Sequence, residues 1–306
     1  MSIDANTPAA DLIRRIAEME RAGQAETEAY QDLFVTLMQQ MEDMPTAEVA
    51  ALVRRSPDLE EDEGYWAPIH TLRARGDRET FEICRGWASS DDPLTREAAA
   101  DVLGQLGAPD ELPFAAESAP LIKTLLGDAN MDVVASAVMA AGHLDLLTPA
   151  ELAAYARHAS NEVRFSSVHA LMGKDDDVST ASLAALCGDA DRDVRNWAVF
   201  ALGQQTDADT PAIREAMLSR LGEEDAEIRG EALIGLARRG DTRVLEPLKR
   251  ELAAEFEGAW SIEAAGVLSD PSLVPALVAL QQRLDPEELE AFGSELEEAI
   301  EACSGE

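Results

Sequence analysis

Four histidines, His70, His143, His158 and His169, are the side chains of this chain best suited to acid–base or metal chemistry. Their spacing favours neither. None stands three or four residues from another, so no two share a helix face as a close metal-ligating pair does, and no H-E-x-x-H run occurs. Ligands converging from separate helices stay open. The cysteines Cys84, Cys187 and Cys303 are scattered and odd in number, the pattern of small reduced core thiols in a cytoplasmic protein rather than of a disulfide framework. Neither a G-x-x-x-x-G-K-[ST] phosphate loop nor a G-x-S-x-G nucleophile elbow is present. Carboxylates are so numerous that no pair of them is diagnostic. The expectation is a protein without catalysis, metal or cofactor.

The elements that would position any site come from one recurring segment. Its clearest copies are Asp191 to Gly203 (DRDVRNWAVFALG) and Asp92 to Gly104 (DPLTREAAADVLG); Ser160 to Leu171, Asp225 to Leu236 and Asn130 to Gly142 are looser. With the arginine as a ruler, the equivalent positions are Tyr65, Arg96, Val134, Arg164, Arg195, Arg229 and Trp260. They recur roughly every 30 residues, a period that means stacked supersecondary units. The longest interval holds Gly107 to Pro113, a loop insertion. Asp92, Asn130, Ser160, Asp191 and Asp225 stand where a helix N-cap belongs, and apolar residues follow at spacings of three and four, as in Val194, Ala198, Ala201 and Leu202. Gly104, Gly142, Gly173, Gly203 and Gly240 fit helix ends. A second helix is expected before each next cap: Pro120 to Leu126, Pro149 to Arg157, Thr180 to Leu186, Pro211 to Leu221 and Val244 to Leu252. No run alternates as a strand would.

These units resemble HEAT repeats, of the short kind found in phycobilisome lyases and related bacterial proteins, from about Glu60 to Arg283. The resemblance implies an all-α, right-handed α-α superhelix. It implies that the motif helix lines the concave face, and that Arg96, Arg164, Arg195 and Arg229 bridge to acids of the neighbouring unit as a structural ladder. The expected organisation is an N-terminal helical cap over 1–56, about seven helix pairs over 57–283, and an acidic capping helix and tail over 284–306. In the first cap, Asp11 to Arg21 and Thr27 to Met41 read as helices. Leu33, Leu37 and Met41 are spaced to cap the first repeat or to pair with another chain. In the last, Leu289, Phe292, Leu296 and Ile300 keep helical spacing. One enzyme family on this scaffold, deoxyhypusine hydroxylase, carries repeated His-Glu pairs; here the residues after the four histidines are Thr71, Leu144, Ala159 and Ala170. Alkylpurine DNA glycosylases present a basic face, the wrong sign for this chain. Nothing marks a bilin thiol or pocket.

The formal charge is −35, from 60 acids against 25 bases. Such a field repels nucleic acid, anionic membranes and nucleotides and favours basic partners. It is densest in the run Asp58 to Glu63 and beyond Asp285, where no Lys or Arg follows. No stretch reaches the ~18–20 apolar residues of a membrane span, and the polar N-terminus lacks a signal-peptide pattern. Positions one and five after the ruler point away from the motif's apolar set. They carry Trp66 and Phe165, then His70, Met139, His169, Phe200 and Ile234, an apolar column on an acidic chain. Either these residues line a docking groove or curvature buries them between adjacent helices; Trp197, at ruler plus two, reads as core. The expected function is a non-enzymatic protein–protein interaction scaffold or adaptor, holding a basic protein or a basic amphipathic helix in its concave face. Two alternatives remain: an acidic inhibitor (an immunity protein or nucleic-acid mimic) of a basic toxin or nuclease, and a bilin lyase or chaperone for a cofactor-bearing protein.

Overall fold

A computed structural model describes residues 7–25, 27–53, 63–107, 111–256 and 258–305. The expected boundary at 56/57, the acidic run from Asp58, the start of the repeats near Glu60, the Tyr65 side chain and the tip of the loop insertion at 108–110 lie outside the described residues. Among the described residues every regular element is a helix. The chain divides into two compact units, Met1–Leu146 and Leu147–Glu306.

The first unit contains α1 (Ala9–Arg21), α2 (Glu28–Asp43), α3 (Thr46–Leu52), α4 (Glu63–Arg75), α5 (Arg78–Trp87), α6 (Pro93–Leu103), α7 (Ala115–Leu125) and α8 (Met131–His143). Helices α4, α6 and α8 stack in sequence, with α3, α5 and α7 packed behind them, while α1 and α2 both pack on α4. Leu33, Leu37 and Met41 are buried together with Leu12 and Ile16. Their spacing of four is therefore a core stripe inside this unit and not a surface held for another chain.

The second unit is a regular two-layer stack. Its layers alternate along the chain through α9 (Pro149–Tyr155), α10 (Asn161–Leu171), α11 (Asp177–Leu186), α12 (Arg192–Gln204), α13 (Pro211–Leu218), α14 (Ala226–Arg238), α15 (Leu245–Ala253), α16 (Trp260–Leu268), α17 (Val274–Gln281) and α18 (Pro286–Ser304). Helices α10, α12, α14, α16 and α18 form one layer, each against the next; in the other layer α11 contacts both α9 and α13, and α15 contacts α17.

Local chemistry starts these helices as the sequence suggests. The side chains of Asn130, Ser160, Asp191 and Asp225 each accept backbone N–H groups of the first turn. Asp92 differs: Pro93 occupies the first helical position, and the Asp92 carboxylate takes the Thr95 hydroxyl at 2.6 Å. The ruler arginines act as a ladder. Arg96 binds Asp128 through two bonds of 2.6 and 2.8 Å, Arg164 binds Asp189 through two of 2.7 Å, and Arg229 reaches Glu251 at 2.9 Å. In each case Nη1 also donates to two carbonyls of the turn before its own helix, such as Ser90 and Asp91 for Arg96. One guanidinium thus fixes its own turn and the acid of the next repeat. The hydrogen bonds from Arg96 hold the Asp128 carboxyl below its ordinary range despite the cost of its burial. Arg195 is the loose rung: its Nε stands 3.5 Å from Glu223, which Arg220 takes at 2.6 Å.

Two expectations need correction. Gly173 and Gly240 adopt positive φ just past helix ends (73° and 59°) and Gly104 is the right-handed C-cap of α6, while Gly142 and Gly203 lie inside the last turn of their helices rather than beyond it. Gly104 and Gly203 serve close approach. A Cβ on Gly104 would fall 2.7 Å from Ala140 Cα, and one on Gly235 would fall 2.7 Å from Gly203 Cα. The last copy also starts differently: α16 begins at Trp260 itself, after Ala259, which offers no capping side chain, whereas Asp191 and Asp225 cap their helices four residues before the ruler arginine. Trp260 lies over Gly230, where a Cβ would come 2.4 Å from the Trp260 Cβ.

A further set of arginines closes helix C-termini, where carbonyls lack partners. Arg75 donates to the Met41 and Met44 carbonyls at 2.8 and 2.6 Å, and Arg283 to those of Leu252 and Ala254 at 2.6 and 2.9 Å. Arg239 donates to the carbonyls of Leu202, Gly203, Thr206, Ala208 and Gly235, all within 3.1 Å.

All three cysteines are free and buried, and burial pushes the Cys187 thiol up to about 12. In the native protein at pH 8, reaction with an aromatic disulfide reagent should run at least about a hundredfold slower than for free cysteine, with all three thiols titrating once the chain is denatured. A rapid native thiol would contradict this packing.

Candidate functional site

The seven column residues do not behave alike. In the first unit Trp66 is half-buried and His70 exposed, their rings 6.0 Å apart, with the Arg73 guanidinium 5.5 Å over the Trp66 ring. His70 borders an open cleft of roughly 680 Å³ lined also by Phe34, Val35 and Met38 of α2. Met139, on α8, is half-buried. Ile234 is 0% exposed, so it belongs to the core and to no docking surface. The reason is local. Helix α14 is approached through Gly235 by α12 and through Gly230 by Trp260, leaving its side chains no outlet on either side.

The remaining three, Phe165, His169 and Phe200, gather in the second unit around a residue that sequence reasoning put in the core. Trp197 is 38% exposed. Its ring stands 4.8 Å from His169, 5.6 Å from Phe200 and 6.5 Å from Phe165, the last two edge to face, and Phe165 lies 4.8 Å from His169. Phe165 and His169 are one turn apart on α10, and Trp197 and Phe200 one turn apart on α12, so two adjacent helices offer four rings in one patch. The signal for Trp197 was available: Asp193, Trp197, Phe200 and Gln204 fall at spacings of four, three and four, one helix face with polar ends.

The surroundings of this patch are acidic. Arg192, at the start of α12, is held by Asp225 at 2.8 Å, Glu227 at 2.6 Å and Asp193 at 3.0 Å, three carboxylates against one cation. Gln204 donates to Glu231, whose carboxyl is pushed up by burial against the opposing pull of that hydrogen bond. Chemically the patch offers ring faces and edges to an apolar or cationic group and no nucleophile or acid–base pair. Among the described residues no group of three or more His, Cys, Asp or Glu is placed to hold a metal ion, and no helix is long and apolar enough to cross a membrane.

Comparison with known proteins bears on the scaffold that carries this patch. A family model described as HEAT repeats matches residues 118–203 and 180–257. The chain carries HEAT repeats over these residues, 118 to 257. A segment of 130 residues, 42% of the chain, is 36% identical to protein YibA of Escherichia coli K12, and that match spans 46% of YibA. The X-ray structure of the E. coli YibA protein superposes with a TM-score of 0.67 over 92% of this chain and 98% of that one, at 24% identity, and so speaks to the HEAT fold alone. An engineered protein superposes at 0.53, with 16% identity, over 100% of this chain and 96% of its own. Both aromatic helices, α10 and α12, fall inside the HEAT match.

Proposed function

We propose that this HEAT-repeat chain is a non-enzymatic protein-interaction scaffold that docks a partner protein on the aromatic patch of α10 and α12. The observation that carries the reading is Trp197, 38% exposed amid three further rings on a chain of net charge −35. Large rings left at a surface favour burial against a partner, and tryptophan is enriched among residues that dominate binding energy. Acids at the edge steer a basic partner, while the rings supply contact area and stack cationic side chains. The alternative of an acidic inhibitor calls for carboxylates at the centre of the docking face, and here the centre is aromatic. Nucleic acid is disfavoured as a partner by the sign of the field.

The test is quantitative affinity capture from the native host with wild type, Trp197→Ala and Phe165→Ala, followed by titration of the captured partner. Loss of Trp197 should weaken binding by about thirtyfold, the effect of a hot-spot residue, with helicity and melting unchanged. Capture that survives both substitutions would refute the assignment. Loss of helicity would make the rings structural.

A further inference from the structure

The second unit carries another unfilled surface at its far end. A cleft of roughly 600 Å³ lies between α16 and α18. Small residues create it. A Cβ on Gly266 would sit 3.4 Å from Ala299 Cα, and the Cys303 thiol donates to the Ala265 carbonyl at 3.3 Å, so the two helices touch along a seam of small side chains. Helix α16 then stops after nine residues, its chain turning through Ser269 at φ 54°. Val267, beside the seam, lines the cleft and is left 43% exposed.

The rim is charged with one sign. Glu263, Glu295 and Glu298 line the cleft, and among the described residues none of the three is paired with a base. The chain has little to offer them. From Glu251 to the C-terminus the sole base is Arg283, and its guanidinium is engaged by the carbonyls of Leu252, Ala253 and Ala254. The apolar lining of Ile262, Val267, Ala299 and Ala302 rules against a hydrated cation as the occupant, and the uncompensated glutamates rule against an acidic or neutral one.

We propose that the cleft between α16 and α18 seats a basic amphipathic helix of a partner protein. Glu295 and Glu298 are one turn apart on α18, matching lysines or arginines one turn apart on a helix laid along the cleft. An aliphatic side chain of that helix fills the space over Val267 and Gly266. This deepens the reading of the chain as a docking scaffold and rests on it, but uses a surface separate from the Trp197 patch.

The experiment titrates the full chain with a designed lysine–leucine amphipathic helical peptide, and with a scrambled peptide of equal charge, by isothermal calorimetry at two salt concentrations. The amphipathic peptide should bind at least about tenfold more tightly than the scrambled one. The double variant Glu295→Gln/Glu298→Gln should weaken it about tenfold and flatten the salt dependence. Val267→Lys, at an exposed position that tolerates substitution, should abolish the preference, and Trp197→Ala should leave it intact. Equal binding of both peptides, or indifference to Val267→Lys, would overturn the proposal and leave only diffuse acidity. Loss of binding on Trp197→Ala with the cleft variants silent would also overturn it, placing the peptide on the aromatic patch and leaving the scaffold reading standing.

Discussion

Replacing Arg239 by alanine is expected to destabilise the second unit by about 3–4 kcal/mol, a fall in melting temperature on the order of 10 °C. The guanidinium bridges the C-terminal carbonyls of α12 (Leu202, Gly203), the loop after it (Thr206, Ala208) and the last turn of α14 (Gly235). Removing it strands several partly buried acceptors at once, and each unsatisfied buried acceptor costs roughly 1–3 kcal/mol, discounted here because water can reach some of them. Arg239→Lys should recover less than half of the loss, since an ammonium is a point donor and cannot span five carbonyls as the planar fork does. Thermal unfolding followed by circular dichroism, with hydrogen exchange to localise the change, checks this. Melting within about 1 kcal/mol of wild type would mean that the arginine is dispensable to the α12–α14 junction.

The second large effect belongs to glycine and runs against helix propensity. Alanine is the better helix former by about 1 kcal/mol, yet Gly235→Ala should destabilise the unit by about 2 kcal/mol. The new methyl would lie 2.5 Å from Met217 Sδ and 2.7 Å from Gly203 Cα. The methionine can swing away; the backbone of α12 cannot move without opening the layer. Gly293→Ala in α18 is the control with the opposite sign. Nothing lies within 4 Å of its Cβ position, so it should gain about 0.5–1 kcal/mol. Equal effects at the two sites would show that the α12–α14 contact is looser than drawn.

What the sequence made legible was local. Caps such as Asp191 and Asn130 declare themselves by side chain and position, and the paired helices follow from short apolar periods; the ladder of Arg96, Arg164 and Arg229 followed from the HEAT resemblance. The failures came where the outcome depends on how closely neighbouring helices approach. Phe200 and Ile234 hold equivalent positions, yet the first is half-exposed and the second enclosed, because glycines draw α14 tightly against both neighbours. Trp197 reads as core by its register, yet the structure leaves it 38% exposed. The start of the last copy was not legible because Ala259, which precedes α16, has no side chain that could cap it. The carbonyl-bridging arginines Arg75, Arg239 and Arg283 escaped because a base near a helix end has many possible partners, and only the fold selects one.

The arginine rungs carry a consequence for how such an array can change in length. Each joins a side chain donated by one copy to a carboxylate donated by its successor, as Arg164 joins Asp189. The copy that carries both Asp189 and Arg195 can therefore be duplicated or excised whole without leaving an orphaned charge, because Arg164 would meet either Asp189 or Glu223, whereas the copies holding Val134 and His158 lack half of the link and cannot. Any cut that falls between the two halves strands one of them, so growth by complete copies is the route that costs the array least.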